Sequence, residues 1–251
     1  MRQYRFFVLP DQIRGRRLIL SGSQARQIYS VLRMREADHI VALDNRGWQY
    51  DVRLDKVASD LVSGEILSRT RAVGEPRTQL TLYQALLKKD NFEWVLQKGT
   101  EIGVARFVPL ITQRCVVRQK KLNPAKLQRW QRIISEAAEQ CGRGRLPSLS
   151  APLTLSEALE DVAEFDKALA PWEREVENGF LVSLSDYAGQ RPSQAARIAV
   201  FIGPEGGFAG EEIEEARAAG VMPVTLGQRI LRAETAAVVA ATLALSAMGD
   251  L

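Results

Sequence analysis

The feature that most constrains the fold is a change of pattern near residue 78. Before it, short strand-forming runs dominate; beyond it, strand-forming runs are interspersed with amphipathic helical patterns. Such alternation predicts an α/β fold with a mainly parallel sheet covered by helices. The predicted strands are residues 80–85, 106–111, 167–170, 197–202 and 222–225, and the predicted helices are residues 91–102, 123–141, 211–219 and 233–248.

The first 70 residues predict a small β-barrel with a single helix at residues 23–34. Asn45-Arg46-Gly47 is a hairpin signal between two of the strand-like runs. Residues 70–78 carry Gly74 and Pro76 among polar residues and are typical of a linker. We therefore expect two domains, residues 1–72 and 76–251. The predicted strands of the first are residues 3–8, 17–20, 39–43, 48–54 and 62–67.

Composition excludes several classes of protein. The chain has 251 residues, of which 25% are charged and 46% hydrophobic, and these are globular values. It opens on no signal-peptide pattern, and its longest apolar run, residues 236–247, is shorter than the roughly 20 residues that a bilayer requires. Cys115, Cys141 and His39 suffice for neither a disulfide framework nor a zinc site. We expect a cytoplasmic protein without a membrane span or a structural metal.

Charge is segregated along the chain. Residues 1–150 hold 27 Lys and Arg against 14 Asp and Glu, whereas residues 151–251 hold 7 against 16. A basic half of this size indicates a polyanion partner, although basic residues also serve simply to solvate exposed faces. The candidates for contact with the phosphates of such a partner are Arg16, Arg17, Arg26, Arg33, Arg35, Arg114, Arg118, Lys120, Lys121 and Arg143.

A glycine-rich loop follows the predicted strand at residues 197–202 and reads Gly203-Pro204-Glu205-Gly206-Gly207. It lacks the G-x-G-x-x-G spacing of a dinucleotide site, and the chain has no G-K-[ST] of a P-loop. A plain turn between strand and helix is the alternative interpretation. The glutamates that follow, at positions 211, 212, 214 and 215, would repel a phosphate and favour a positively charged ligand such as the sulfonium of S-adenosylmethionine.

A second irregular loop, residues 226–235, follows the strand at residues 222–225. Gly227 permits close approach of the backbone to a ligand, and Ile230 and Leu231 are apolar residues suited to lining an adenine pocket. Glu234 lies in the first turn of the closing helix, where stabilisation of the helix dipole is the alternative role. Because ligands collect at the carboxyl ends of parallel strands, the two loops predict one small-molecule site.

These loops resemble those of the RsmE family, methyltransferases of the knotted SPOUT class that methylate N3 of a uridine in 16S ribosomal RNA. Residues 30–35, 98–104 and 136–143 also match blocks of that family. The chain departs from it at Cys141, where serine is common, and at Ala170-Pro171-Trp172-Glu173, where the family often carries His-Pro.

The resemblance implies a knotted SPOUT domain with a trefoil knot, preceded by a PUA-like RNA-binding β-barrel. It implies a homodimer that takes S-adenosylmethionine as cofactor and acts on 16S ribosomal RNA in assembled or nearly assembled small subunits. Arg232 is expected to hold a uridine carbonyl or the developing anion, and Glu234 to accept the N3 proton. The cofactor contacts are expected at Leu169, Gly203, Pro204, Glu205, Gly206, Gly207, Leu226, Gly227, Ile230 and Leu231.

Two other functions remain open from the sequence. A 2′-O-ribose methyltransferase of the same class would share the fold and the cofactor. A ribosome assembly factor without catalysis would keep the basic half and tolerate loss of the loops.

Overall fold

A computed structural model describes residues 3–117, 120–190 and 195–251. The chain divides into two compact units, a first unit of Met1–Glu75 with Ser135–Leu146 and a second unit of Pro76–Ile134 with Pro147–Leu251. Each unit has its own hydrophobic core.

The first unit contains a six-stranded sheet in the order β1-β4-β5-β6-β3-β2. Strands β1 and β4 are parallel, and the other neighbours are antiparallel. Its core includes Phe6, Leu18, Ile40 and Val52. The elements in residues 1–75 are β1 (Tyr4–Phe7), β2 (Ile13–Arg14), β3 (Arg17–Ser21), α1 (Gly22–Arg26), β4 (His39–Leu43), β5 (Trp48–Val57) and β6 (Leu61–Arg71), with a 3-10 turn at Pro10–Gln12 and a π-helical turn at Gln27–Val31.

The predicted hairpin is confirmed. Strands β4 and β5 pair antiparallel, and the turn between them places Asn45 at φ 58° and Gly47 at φ 85°. Both angles lie in the left-handed region that Asn and Gly tolerate best. The predicted helix at residues 23–34 is only partly right, because the α-helix ends at Arg26 and gives way to the π-helical turn.

The second unit contains a seven-stranded sheet in which every pair is parallel, as the alternation of strands and helices predicted. The order is β10-β8-β7-β12-β11-β13, with β9 beside β8. Its strands are β7 (Gln79–Ala85), β8 (Arg106–Ile111), β9 (Ser148–Leu149), β10 (Leu153–Thr154), β11 (Lys167–Pro171), β12 (Arg197–Ile202) and β13 (Met222–Val224).

Helices cover both faces of this sheet. Strand β12 shows why, since Ile198 and Val200 belong to one hydrophobic cluster while Ala199 and Phe201 belong to another. Alternate residues of a strand point to opposite faces, so both faces need an apolar cover. The helices from residue 76 onward are α2 (Asn91–Ile102), α3 (Pro124–Cys141), which ends in the first unit, α4 (Leu155–Leu159), α5 (Phe180–Gln190), α6 (Gly210–Ala218) and α7 (Ala233–Ala247), with a 3-10 turn at Val162–Glu164.

Several elements differ from the prediction. Strand β6 runs to Arg71, so the strand continues into the expected linker. Helices α4 and α5 and the two-residue strands β2, β9 and β10 were not predicted. Within the described ranges, no helix combines the length and apolarity needed to cross a bilayer, and no group of three or more His, Cys, Asp or Glu side chains is placed to hold a metal ion.

Candidate functional site

A cleft of about 520 Å³ opens in the second unit at the carboxyl ends of three adjacent strands, β12, β11 and β13. Its walls are the segments that leave those strands. They are residues 171–173 after β11, residues 202–208 after β12, and residues 225–234 after β13, together with Asn91 and Ala236. The expectation that the two glycine-bearing loops lie together is thus met by the geometry.

The loop after β12 is a tight turn that depends on glycine. Gly207 has φ +67°, and its N–H donates to the Pro204 carbonyl at 2.9 Å. At Gly203, an added Cβ would lie 3.1 Å from the Phe208 nitrogen, because the chain doubles back over this residue. A side chain at either position would strain the turn or push it open.

Neighbouring loops hold this turn in place. The Lys88 N–H, just after β7, donates to Glu205 Oε1 at 2.9 Å, and Arg114 Nη1 donates to the Gly206 carbonyl at 2.8 Å. Glu212 is only 4% exposed, and its carboxylate accepts from the Gln113 N–H at 2.7 Å and from the Ala209 N–H at 2.9 Å. The loops after β7 and β8 therefore position the glycine turn. Lys88 and Gln113 were not predicted as site residues, because nothing local in the sequence links them to partners more than 90 positions away.

The loop after β13 forms the opposite wall. Its start is fixed by the Gly227 N–H, which donates to Thr225 Oγ1 at 3.1 Å, and Gly227 itself has φ +111°. Ile230 is 86% exposed, which is unusual for a large apolar side chain that lines a cleft. Burial of such a side chain by a ligand is favourable. Arg232 is the N-cap residue of α7 and has extended backbone angles, φ −63° and ψ 152°.

Charged side chains of both signs line the cleft. The negative ones are Glu173, Glu205 and Glu234, and the positive ones are Arg229 and Arg232. The Glu173 carboxylate lies beside the glycine turn, since a Cβ built on Gly207 would be 2.9 Å from Glu173 Oε2. Glu234 lies in the first turn of α7. The cleft thus offers carboxylates for a cationic ligand group and guanidinium groups for an anion.

The segment Ala170-Pro171-Trp172-Glu173, at which the chain departs from the RsmE pattern, contributes Pro171, Trp172 and Glu173 to the cleft. Trp172 Nε1 is buried and has no hydrogen-bond partner within the described part of the chain. A buried indole N–H without a partner is uncommon in folded proteins. Because solvent does not reach this atom, a ligand in the cleft does not reach it in this conformation either.

Two predictions about the cofactor site need correction. Leu169 was predicted as a contact, but it lies inside β11, is fully buried, and does not line the cleft. None of the glutamates at 211, 212, 214 and 215 lines the cleft either. Glu212 accepts from backbone N–H groups, including that of the Ala209 helix cap. The other nine predicted contacts and both predicted catalytic residues do line it.

The predicted RNA contacts are placed in both units. Arg26, Arg33 and Arg35 are exposed in the first unit. Arg16 and Arg17 are also exposed there but pair with Glu65 at 3.5 Å and Asp55 at 2.7 Å. The second unit holds Arg114, Lys120 and Lys121, and Arg118 lies outside the described residues.

Lys120 forms an ion pair with Glu157 at 2.7 Å. The hydrogen bond from Lys120, with further bonds from Thr154, lowers the pKa of the Glu157 carboxyl to about 2.

The structure contradicts the assignment of Arg143. Its side chain is 6% exposed, and its Nη2 lies 3.0 Å from Glu75 Oε2. A guanidinium buried against a carboxylate is not available to an RNA phosphate. Arg143 is therefore a structural residue of the first unit.

The chain is similar to known RNA-modifying enzymes. The RNA methyltransferase domain family matches residues 74–245. The ribosomal RNA small subunit methyltransferase E of Synechocystis is 35% identical over 94% of this chain and 75% of its own length. The protein of that name from Bacillus subtilis is 32% identical over 86% of this chain and 85% of its own length.

Two solved structures share the whole fold. A putative methyltransferase from Legionella pneumophila, in complex with the bound cofactor SAM, superposes with a TM-score of 0.85 at 31% identity over 98% of both chains. The ribosomal RNA small subunit methyltransferase E from Neisseria gonorrhoeae, bound to S-adenosyl methionine, gives a TM-score of 0.80 at 31% identity over 96% of this chain and 95% of that one.

Sequence and structure thus define the class as an RNA methyltransferase with a mainly parallel α/β sheet. Within that class, the chain belongs to the ribosomal RNA small subunit methyltransferase E (RsmE) family, as the resemblance in its loops predicted.

Proposed function

We propose that the protein transfers a methyl group from S-adenosylmethionine to N3 of a specific uridine in 16S ribosomal RNA, on assembled or nearly assembled small subunits. The observation that carries the proposal is the cleft, in which nine predicted cofactor contacts and both predicted catalytic residues come together. It is supported by the names of the relatives and by the two neighbours that hold this cofactor.

The residues of the cleft fit the cofactor. A volume of about 520 Å³ is in the range of small-molecule sites, and the glycine turn leaves backbone accessible without Cβ atoms. The carboxylates of Glu173, Glu205 and Glu234 suit the positive charge of a sulfonium. Exposed Ile230 gives an apolar surface for an adenine.

The proposed chemistry assigns charge control to this chain's own residues. When bound, S-adenosylmethionine supplies a methyl group on a sulfonium that a nucleophile can attack. Uridine N3 becomes nucleophilic after its proton leaves, so the anionic base must be stabilised and aligned. Arg232, exposed at the start of α7, is proposed to hold a uridine carbonyl or the developing anion. Glu234, in the first helical turn, is proposed to accept the proton.

The proposal includes the architecture that this activity requires. Residues 76–251 are proposed to form a SPOUT domain whose chain passes through a trefoil knot, and residues 1–72 a PUA-like RNA-binding barrel. The parallel sheet of the second unit and the mainly antiparallel sheet of the first support this division. The protein is proposed to act as a homodimer in the cytoplasm, where small subunits are assembled.

Arg232→Ala tests the catalytic assignment. The substitution should leave S-adenosylmethionine binding unchanged but slow a single turnover by roughly 100-fold, because it removes a charge that acts mainly in the transition state. The substrate is small subunits purified from a strain that lacks the gene, and titration calorimetry reports cofactor affinity. Arg217→Ala is the matched control, since Arg217 is an exposed arginine of α6 outside the cleft. A wild-type rate for folded Arg232→Ala contradicts the assignment.

A further inference from the structure

One face of the β5–β6 hairpin in the first unit combines two aromatic and two basic side chains. Trp48 lies opposite Arg71, and Tyr50 lies opposite Arg69. Since alternate residues share a face, all four side chains project to the same side. The Arg69 and Arg71 guanidinium carbons lie 4.0 and 3.9 Å from the Trp48 ring centroid, and Arg69 lies 5.6 Å from that of Tyr50.

Residues 143–146 of the same unit form a loop that contacts the turn between β4 and β5. Glu75 Oε1 accepts from the Gly144 N–H at 2.9 Å and from the Arg145 N–H at 3.0 Å. The Leu146 N–H then donates to Asn45 Oδ1 at 2.7 Å. These backbone contacts use the Glu75 and Asn45 side chains and leave that of Arg145 exposed.

The loop brings a third guanidinium to the same place. A Cβ built on Gly47 would lie 3.3 Å from Arg145 Nε and 3.8 Å from Arg71 Nη1, so the two guanidinium groups are neighbours. Neighbouring like charges repel each other, and an anion that contacts both guanidinium groups would relieve this repulsion.

No carboxylate of the described residues neutralises these three arginines by an ion pair, although such pairs form at other arginines of the unit, including Arg16, Arg17 and Arg53. Both carboxylate oxygens of the nearby Asp44 accept hydrogen bonds from groups other than these arginines. Its Oδ1 accepts from the backbone N–H groups of Arg46 and Trp48, at 2.8 and 3.0 Å, and its Oδ2 accepts from the Tyr50 hydroxyl at 3.3 Å.

We propose that Arg69 and Arg71, stacked on Trp48, form with the neighbouring Arg145 a phosphate-binding surface for the backbone of the ribosomal RNA substrate. This three-arginine surface rests on the proposed function and names a contact that the charge pattern alone did not single out. Stacking on an indole fixes a guanidinium before binding, so less side-chain freedom is lost when a phosphate arrives. An RNA backbone supplies the closely spaced anions that three neighbouring guanidinium groups require.

The test compares binding of full-length protein to small subunits from a strain that lacks the gene, over a series of salt concentrations. Replacing all three arginines by glutamine should weaken binding about 100-fold at 0.15 M salt, counted as about fivefold per phosphate contact, and lower the slope of log K against log[salt] by about 2 to 3. The matched control removes three similarly exposed arginines that are paired with carboxylates and should bind as wild type does: Arg53→Gln, Arg129→Gln and Arg197→Gln.

A second variant distinguishes the loss of charge from a folding defect. Replacing the same three arginines by lysine keeps the charge and should retain most of the salt dependence, whereas equal losses in the lysine and glutamine variants contradict a phosphate contact. Wild-type affinity in the folded glutamine variant overturns the inference and leaves the proposed function standing. If the wild-type protein binds no small subunits at any salt concentration, both the inference and the proposed function fail.

Discussion

The substitution Gly207→Ala tests whether the contact between Gly207 and the Glu173 carboxylate contributes to cofactor binding. Gly207 has φ +67°, and a Cβ there would lie 2.9 and 3.0 Å from the two Glu173 carboxylate oxygens. An L-residue in this conformation costs about 1–2 kcal/mol. The Glu173 side chain is exposed and can rotate away, so the clash adds little to the loss of stability but removes a carboxylate from its place in the cleft. We expect a melting temperature lower by roughly 2–8 °C.

Gly220→Ala supplies the matched control. Gly220 also has positive φ, +96°, its nearest neighbour to an added Cβ is Val162 at 3.8 Å, and it lies outside the cleft. The melting temperature of the Gly220→Ala variant should therefore fall by a similar amount. Titration calorimetry should show that only Gly207→Ala weakens S-adenosylmethionine binding, by about tenfold, or about 1.4 kcal/mol. Equal cofactor affinity in both variants would refute a role of Gly207 and Glu173 in cofactor binding. An unchanged melting temperature would refute the expected cost of an L-residue at positive φ.

Two further predictions concern the first unit. Burial raises the pKa of Glu139, against the effect of a hydrogen bond from the Phe7 N–H. Because the folded pKa exceeds the unfolded one, this group's favourable contribution is present at low pH and is lost as pH rises through the folded pKa. Glu139→Gln should therefore gain more thermal stability relative to wild type at pH 8 than at pH 4.5, and an equal difference at both pH values would contradict this. Arg143→Ala should lower the free energy of unfolding by roughly 3 kcal/mol in urea titrations, since Glu75 loses its buried partner. A loss below about 1 kcal/mol, the range of a surface pair, would show that Arg143 is not structural.

Much of the fold could be predicted because its signals are local. Strands β7, β8 and β12 are apolar runs of strand length, and the helix patterns between them have the spacing of a buried face. Helix α5 was missed for a physical reason. Its N-terminal Leu181 and Val182 are exposed, so the sequence there lacks the periodicity that burial of one face produces.

The site was predictable where a motif carried it and not where long-range contacts did. Glycine-bearing loops after strands indicated the cleft, and Gly207 and Gly227 do adopt positive φ. The sequence could not reveal that Glu75 neutralises Arg143, 68 residues away, since charge pairing depends on the folded chain. For the same reason, it could not separate Arg17, which pairs with Asp55, from Arg69, which forms no ion pair with a described carboxylate, and so could not locate the three-arginine surface.

The most direct test of the proposed function is nucleoside mass spectrometry of 16S ribosomal RNA from strains with and without the gene. We predict that 3-methyluridine at one position is present in the wild-type RNA, is absent in the deletion strain, and returns when the wild-type protein is supplied. An identical set of methylated nucleosides in both strains, or the loss of a 2′-O-methyl group instead, would contradict methylation at N3.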